Sequence, residues 1–570
     1  MKIEKIGVIG PGIVGMPMAA LIANSRIEYD NKKFAEVVVI QRNSTFSGWK
    51  VDAINSGHST IGGIEPELDN IVAKLVSEGL LRASYNYSEL KDADIILVCV
   101  QTDKIEFKPD YGPLFESINQ LAKVLQNKPA FKKPVIIFES TLAPSTMETL
   151  IKPHFEKFGL IEGKDILLGN SPNRVMPGRL VHRVINSDKI VAGLNPETPR
   201  IIEELYSKFV TGGALHKTNS LTAEIVKTLE NAYRDVRIAY SAEVVRYCDK
   251  EDINFYKLRD EVNKLSSQID TASGDPNTVP SGGLLIPTIG VGGHCLPKDG
   301  ILLWWRMLEV GKDHTNSLIL NARIINDNSP LESIKLAENK FGSLNGKSIA
   351  LLGAAYRFNS EDTRNSPTFT LANLLLEKNC DIKIHDPFVK AGDQNLIKYK
   401  LNSFFTNDLA AALENTDYVF VCTAHHFYLE KFYEIIKMSK KLRGIFDGCN
   451  LISLSKTDSL NISYTGIGKG KNEPSEELIN FVNNCFQAVE KGVANELKTL
   501  IDFFNENFVQ DEFNKVKFEY VRKLASTCGT GCKIVYPNII EEVIFYNNFS
   551  SELVSCSLKA NKNDNIASSV

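Results

Sequence analysis

Short apolar runs alternate with helical stretches through the first two hundred residues. Residues 5–9, 36–40, 94–100, 134–138 and 165–168 are β-branched or apolar almost throughout, the pattern of strands covered on both faces. Alternating with helical segments, they predict a parallel, doubly wound sheet. An apolar helix is expected over 16–23, directly after the first strand. From 221 to about 250 no glycine or proline interrupts a helical pattern, which predicts one long helix. The alternation restarts near Gly346, with strands meeting turns at 348–353, 381–387, 418–423 and 444–447. Farther on, Leu478, Phe481, Cys485, Val489, Val493, Leu497, Ile501 and Phe504 recur at helical spacing and predict a second long amphipathic helix, followed by mixed segments and a polar tail.

The pattern reads as an α/β protein with two Rossmann-like doubly wound domains joined by a long central helix, plus a mainly helical C-terminal extension. Boundaries are expected at 1–215, 216–330, 331–470 and 471–570. A formal charge of −4 and a pI near 6.2 give no electrostatic footprint for nucleic acid. No apolar run is long enough to span a bilayer, and the N-terminal segment enters its first strand without room for a signal peptide, so no membrane partner and a cytoplasmic location are expected. The ten cysteines follow no framework spacing, and several sit inside apolar runs, as reduced core residues do. Cys528 and Cys532 are separated by three residues and no histidine follows His426, so no metal site is expected there.

Candidate chemistry begins at Gly10-Pro11-Gly12-Ile13-Val14-Gly15, a GxGxxG between strand and helix. Its glycines allow a tight turn, close approach to a pyrophosphate and close helix packing, so Gly10, Gly12, Ile13, Val14 and Gly15 are expected at a dinucleotide. The second strand ends in Gln41-Arg42-Asn43, without the acidic residue that accepts from a ribose hydroxyl. Gln41 and Arg42 are candidates there. NAD is preferred, with NADP open because Arg42 suits a 2′-phosphate. Thr102 and Thr141 close two further strands, as ligand-facing groups or as helix N-caps.

The run Gly292-Gly293-His294-Cys295-Leu296-Pro297-Lys298-Asp299 sets one cysteine among small residues, a cation and a carboxylate. That environment suits a thiolate nucleophile; a buried core thiol beside a turn is the alternative. Lys227, Asn231 and Arg234 share one face of the long helix, either solvated or projecting into a cleft.

With these motifs placed, the chain resembles the nucleotide-sugar dehydrogenase superfamily, which includes the UDP-glucose, UDP-N-acetylmannosamine and UDP-N-acetylglucosamine 6-dehydrogenases. The resemblance runs from residue 1 to about 470. It rests on the GxGxxG, Val100-Gln101-Thr102, Glu139-Ser140-Thr141, 171–178 (SPNRVMPG), Ala223-Glu224 with Lys227 and Asn231, the Cys295 octet, and 362–367 (DTRNSP). It implies a four-electron oxidation of a sugar C6 alcohol to a carboxylate with two nicotinamide cofactors in turn, for polysaccharide precursors. Cys295 would hold the carbon as thiohemiacetal and then thioester. Lys227 and Asn231 would donate to the oxyanion, Asp299 would activate water, and Thr141 would orient water or the substrate hydroxyl. Lys298 is expected near the cofactor; Arg174, Gly292, Arg357 and Arg364 near the UDP-sugar, where guanidinium forks suit phosphate. For Arg357 and Arg364 the alternative is an ion pair between domains. A homodimer paired through the long helix is also implied, with the C-terminal helix either joining that assembly or packing on its own chain.

One departure matters: Asn173 stands where the family has a glutamate, and an amide cannot take a proton at neutral pH. Asp299 and Glu148 are the candidate substitutes. His294 and the 174–178 run favour a UDP-N-acetylhexosamine, such as UDP-ManNAc or UDP-GlcNAc, whereas Lys298 favours UDP-glucose as the alternative. A one-step dehydrogenase needs no such cysteine. A non-catalytic sugar-nucleotide-binding or regulatory homologue is the reading of another class. The Gly, Ser and Pro-rich loop 269–287 is expected to cover the nucleotide.

Overall fold

A computed structural model describes the chain except residues 1, 31–32, 46, 62–64, 66, 176–177, 266–282, 454–461, 528–548 and 568–570. Most of the loop 269–287, Met176 and Pro177 of the 171–178 run, and Cys528 and Cys532 lie outside the described residues. The chain divides into two compact units. The first combines Met1–Glu230, Ile301–Gly311 and Leu497–Cys532; the second combines Asn231–Gly300, Lys312–Glu496 and Lys533–Val570.

The first unit is built on an eight-stranded sheet. Its strands are β1 (Lys5–Ile9), β2 (Glu36–Ile40), β3 (Leu81–Ser84), β4 (Ile95–Val98), β5 (Val135–Phe138), β6 (Leu167–Asn170), β7 (Lys189–Gly193) and β8 (Leu215–Asn219), in the order β8-β7-β6-β5-β4-β1-β2-β3. Every pairing is parallel except β6 with β7. The strands are apolar without alternation because both faces are covered. Ile6, Val8, Val37, Val39, Ile95, Leu97, Val135 and Ile137 join the core on one side; Ile9, Val38, Ile40, Ile96, Val98, Ile136 and Phe138 join the core on the other. Each such side chain contributes about 1.5–3 kcal/mol by leaving water. The sheet order reverses between β1 and β4, and the Gly10–Gly15 turn runs from β1 into helix α1 (Gly15–Asn24) at that switch point.

Three strands of this sheet, β3, β7 and β8, carry weak sequence signals and were not among the expected runs. The run 165–168 starts late, at Leu167, because Asp165 is spent on a turn, its carboxylate accepting from the Ile161 amide at 3.0 Å.

Among its described residues the second unit carries a six-stranded sheet: β9 (Ser348–Leu352), β10 (Asp381–His385), β11 (Phe405–Thr406), β12 (Tyr418–Val421), β13 (Gly444–Asp447) and β14 (Ser463–Gly466). Their order is β11-β10-β9-β12-β13-β14, parallel throughout. The expected long helices are α2 (Ser220–Lys250), whose last twenty residues lie in this unit, and α3 (Glu476–Phe508). No helix among the described residues is long and apolar enough to cross a membrane.

Candidate active site

In the first unit the glycine turn has the geometry its spacing implies. Gly10 has φ +91°, and a Cβ there would lie 3.0 Å from the Cys99 carbonyl; a Cβ on Gly15 would lie 2.1 Å from the Gly10 carbonyl. Around a Cβ on Gly12, by contrast, there is open space among the described residues. Two glycines are thus demanded by packing, and the third leaves backbone open to a bulky anion at the start of α1. A pyrophosphate fits such a cradle.

Beyond β2, the Gln41 amide donates to Ser47 Oγ at 2.8 Å, and Arg42 makes an exposed pair with Glu116 at 2.9 Å. Thr102 is buried and its hydroxyl donates to the Thr141 carbonyl at 2.7 Å, so the two strand ends are tied together. Neither threonine caps a helix; those positions fall at Tyr111 and Thr146.

The loop after Thr141 is held by a residue with no role assigned from sequence. Glu224 accepts from the Ser145 and Met147 amides at 2.8 and 2.9 Å, and its complete burial pushes its pKa up to about 8. Asn173 donates to Glu139 at 3.0 Å, and Glu139 also binds Lys189 at 2.8 Å and the Tyr206 hydroxyl. Arg174 pairs with the buried Glu230 at 2.6 Å and donates to Thr527 Oγ1 at 3.1 Å and the Leu524 carbonyl at 3.4 Å. Its guanidinium therefore anchors the 171–175 segment. Lys227 lies on the same helix, four residues and just over one turn before Asn231, and is buried. Glu148 is paired with Lys152 at 2.6 Å on a helix surface.

In the second unit Cys295 immediately precedes the helix Leu296–Glu309. Its carbonyl accepts from the Lys298 and Asp299 amides at 3.1 and 2.9 Å, so the thiol stands at a helix N-terminus, half-buried. Asp299 is fully buried: Oδ2 accepts from the Asn231 amide at 2.6 Å, Oδ1 lies 3.8 Å from Lys298 Nζ, and Oδ1 has no hydrogen-bond partner among the described residues. Two residues far apart in sequence, both chosen as candidates, are thus in contact one turn from the thiol. Lys298 also approaches His294 Nε2 at 3.4 Å.

The glycines before the cysteine are required by a second loop. A Cβ on Gly292 would lie 2.4 Å from Tyr356 Cβ, and Gly293 has φ +88° with its Cβ position 3.0 Å from the Tyr356 ring. Gly293 N–H donates to the Arg364 carbonyl at 2.8 Å, and the Asn365 amide donates to the Gly293 carbonyl at 2.9 Å. Arg364 forks onto Asp362 within its own loop, which raises its pKa further; Arg357 faces the Phe358 ring. Burial, then Asp362, push the Tyr356 hydroxyl up to about 12, and Cys295 adds to the effect. Tyr356 was missed as a site residue, and Asp362 and Asn365, although inside the quoted 362–367 motif, were given no role. Contact with Gly292-Gly293 singles out Tyr356 and Asn365, and the fork with Arg364 singles out Asp362. Among the described residues no cluster suits a metal ion.

Three domain models of one family match in order: an NAD binding domain over residues 4–210, a central domain over 221–328 and a UDP binding domain over 350–454. The chain belongs to the UDP-glucose/GDP-mannose dehydrogenase family. It is an NAD-dependent nucleotide-sugar dehydrogenase, in which the glycine turn falls in the NAD domain and Tyr356, Arg357 and Arg364 fall in the UDP domain. Among its relatives, the UDP-N-acetyl-D-mannosamine dehydrogenase of Pyrococcus horikoshii is 31% identical, over 82% of this chain and 99% of its own length. That of Campylobacter jejuni is 30% identical over 75% and 97%. Solved structures of the Pyrococcus horikoshii UDP-D-ManNAc dehydrogenase and of an NDP-N-acetyl-D-galactosaminuronic acid dehydrogenase from Methanosarcina mazei each superpose with a TM-score of 0.67 at 30% identity. They cover 82% of this chain and 99% and 96% of their own.

Proposed function

We propose that this dehydrogenase oxidises C6 of a UDP-N-acetylhexosamine, UDP-N-acetylmannosamine first, to the uronate through Cys295. The observation that carries the chemistry is the thiol at a helix N-terminus with the buried Asp299–Asn231 pair one turn away. The names of the relatives support the substrate.

NAD supplies the acceptor for two hydrides, one at each oxidation. The rest belongs to the chain. The C6 alcohol loses a hydride and a proton to become an aldehyde. The Cys295 thiolate adds to that carbon, giving a thiohemiacetal whose oxygen is held by Lys227 and Asn231. Loss of the second hydride leaves a thioester, and water then adds at the carbon and expels the thiolate, leaving the carboxylate. Per sugar, one water is consumed and two cofactors are reduced. Asp299 is the base for that water: Oδ2 is fixed by Asn231, and Oδ1 has no hydrogen-bond partner among the described residues. Glu148, the other candidate, is engaged with Lys152. Thr141 orients the water or the substrate hydroxyl, and Lys298 and Gln41 serve the cofactor. Gly292, Arg357 and Arg364 serve the UDP moiety, while Arg174 acts by fixing its loop.

The resemblance also implied a homodimer in the cytoplasm. The packing of the central helix bears on the assembly below. Asn173 favours a second reading, a binding protein that has lost hydrolysis. Counting reduced cofactor per sugar with UDP-N-acetylmannosamine, UDP-N-acetylglucosamine or UDP-glucose separates the two. Two equivalents with one sugar, abolished in Cys295→Ser, are expected; binding without turnover for every sugar refutes catalysis.

A further inference from the structure

The family models end at residue 454, and the Pyrococcus horikoshii relative, over 99% of its own length, accounts for 82% of this chain. α3 and the helix Glu552–Ala567 lie in the C-terminal extension beyond the last family model. Within the second unit this extension lies along the second half of α2. The Tyr233 hydroxyl meets both Glu490 carboxylate oxygens at 2.6 Å; the Arg237 guanidinium faces the Phe486 ring; the Tyr240 hydroxyl donates to the Val482 carbonyl at 2.8 Å; and Tyr247 packs edge-on against Phe549.

Positions 233, 237, 240 and 247 form a single stripe of α2 at the four-and-three spacing by which helices pair along a seam. Tyr233, Arg237 and Tyr240 are almost wholly buried. A polar group of α2 is matched as well: Glu243 accepts from the Ser551 hydroxyl and Glu552 amide, both at 2.7 Å, ahead of the helix Glu552–Ala567. Beside the seam, Glu496 of α3 accepts from the Ser317 hydroxyl and Leu318 amide at 2.6 and 2.9 Å, at the start of the helix Leu318–Asp327. A chain ending near 470 would leave this stripe of aromatic surface uncovered, and a second copy is the ordinary way to close such a face.

We propose that the extension closes the α2 seam within the chain, in the place a second copy would take in a shorter one, and that this protein is a monomer. A segment tethered to its own groove meets it at a far higher effective concentration than a separate molecule does. The inference is independent of the substrate reading.

Sedimentation equilibrium of the full chain across a wide range of concentration tests it, alongside Glu490→Lys and Glu490→Gln. Glu490→Lys removes the acceptor for Tyr233 and sets a cation beside Arg237; Glu490→Gln keeps a hydrogen bond. A single species of 63.4 kDa is expected for the natural chain and for Glu490→Gln, with Glu490→Lys associating as concentration rises. A natural chain of twice that mass overturns the proposal whether or not either variant folds. A folded Glu490→Lys that stays monomeric overturns the claim that the seam is a surface a second copy would take.

Discussion

Replacing Asp299 by asparagine removes a charge while keeping almost the same shape. The new amide oxygen can still accept from Asn231, so the 2.6 Å contact survives and the loop geometry with it. Two things change. The first is electrostatic: Lys298, also buried, loses the carboxylate 3.8 Å away. At an effective dielectric near 20, unit charges about 4 Å apart attract by about 4 kcal/mol, much of it offset by the desolvation of both groups. Removing one partner of such a pair costs about 3 kcal/mol of stability. The second change is chemical, since an amide cannot accept the proton of an attacking water.

The two changes are read by different assays. Loss of a general base slows its step by about 10²–10⁴-fold. If that step is thioester hydrolysis, both hydrides have already departed when it stalls. Rapid mixing of Asp299→Asn with UDP-N-acetylmannosamine and NAD is therefore expected to show a burst of two reduced cofactors per Cys295. A steady state slower by that factor follows, and a sugar-nucleotide adduct appears in the intact mass. Thermal unfolding reports the stability loss separately. A folded variant turning over within about threefold of the natural rate refutes Asp299 as the base. A slow variant with no burst refutes its placement at hydrolysis, because the defect then precedes the thioester.

Three other substitutions probe the surroundings. Gly292→Ala forces a methyl to 2.4 Å from Tyr356 Cβ, so a destabilisation of about 1–3 kcal/mol by denaturant titration is expected, with a lowered kcat; unchanged stability would mean that the loop is not wedged there. Glu224 has its pKa raised to about 8 by burial, so its stabilising contribution is full below the unfolded value near 4 and is lost as pH rises through about 8; Tm should fall between pH 6 and 9, and less steeply in Glu224→Gln. Equal slopes for the two chains would refute that linkage. Asn173→Glu places a second carboxylate where the amide now donates to Glu139 at 3.0 Å, so it should lower Tm and fail to speed hydrolysis; a faster variant of undiminished Tm would refute the fixed network described for that loop.

Part of the geometry around Cys295 was legible in the sequence, for a physical reason. Cys295, Lys298 and Asp299 are contiguous, and the glycines beside them announce a close approach without saying to what. Tyr356 is that partner, sixty-four residues after Gly292, and nothing in its own neighbourhood distinguishes it from a core tyrosine. The Asn231–Asp299 contact is likewise a product of tertiary packing: helical spacing put Asn231 on a face with Lys227 and could not name what that face meets. The central strands β1, β2, β4 and β5 were readable because burial on both sides makes them uniformly apolar. The strands β7 and β8 were not, since Lys189 is drawn inward by Glu139 and the polar Lys217 and Thr218 break the run. The long helix 476–508 was visible as a periodicity, yet periodicity is silent about the neighbour. That an amphipathic stripe is matched by Tyr233, Arg237 and Tyr240 of the same chain follows only from where the chain returns after β14, and this return gives the extension a partner that its sequence alone left open between self and another copy.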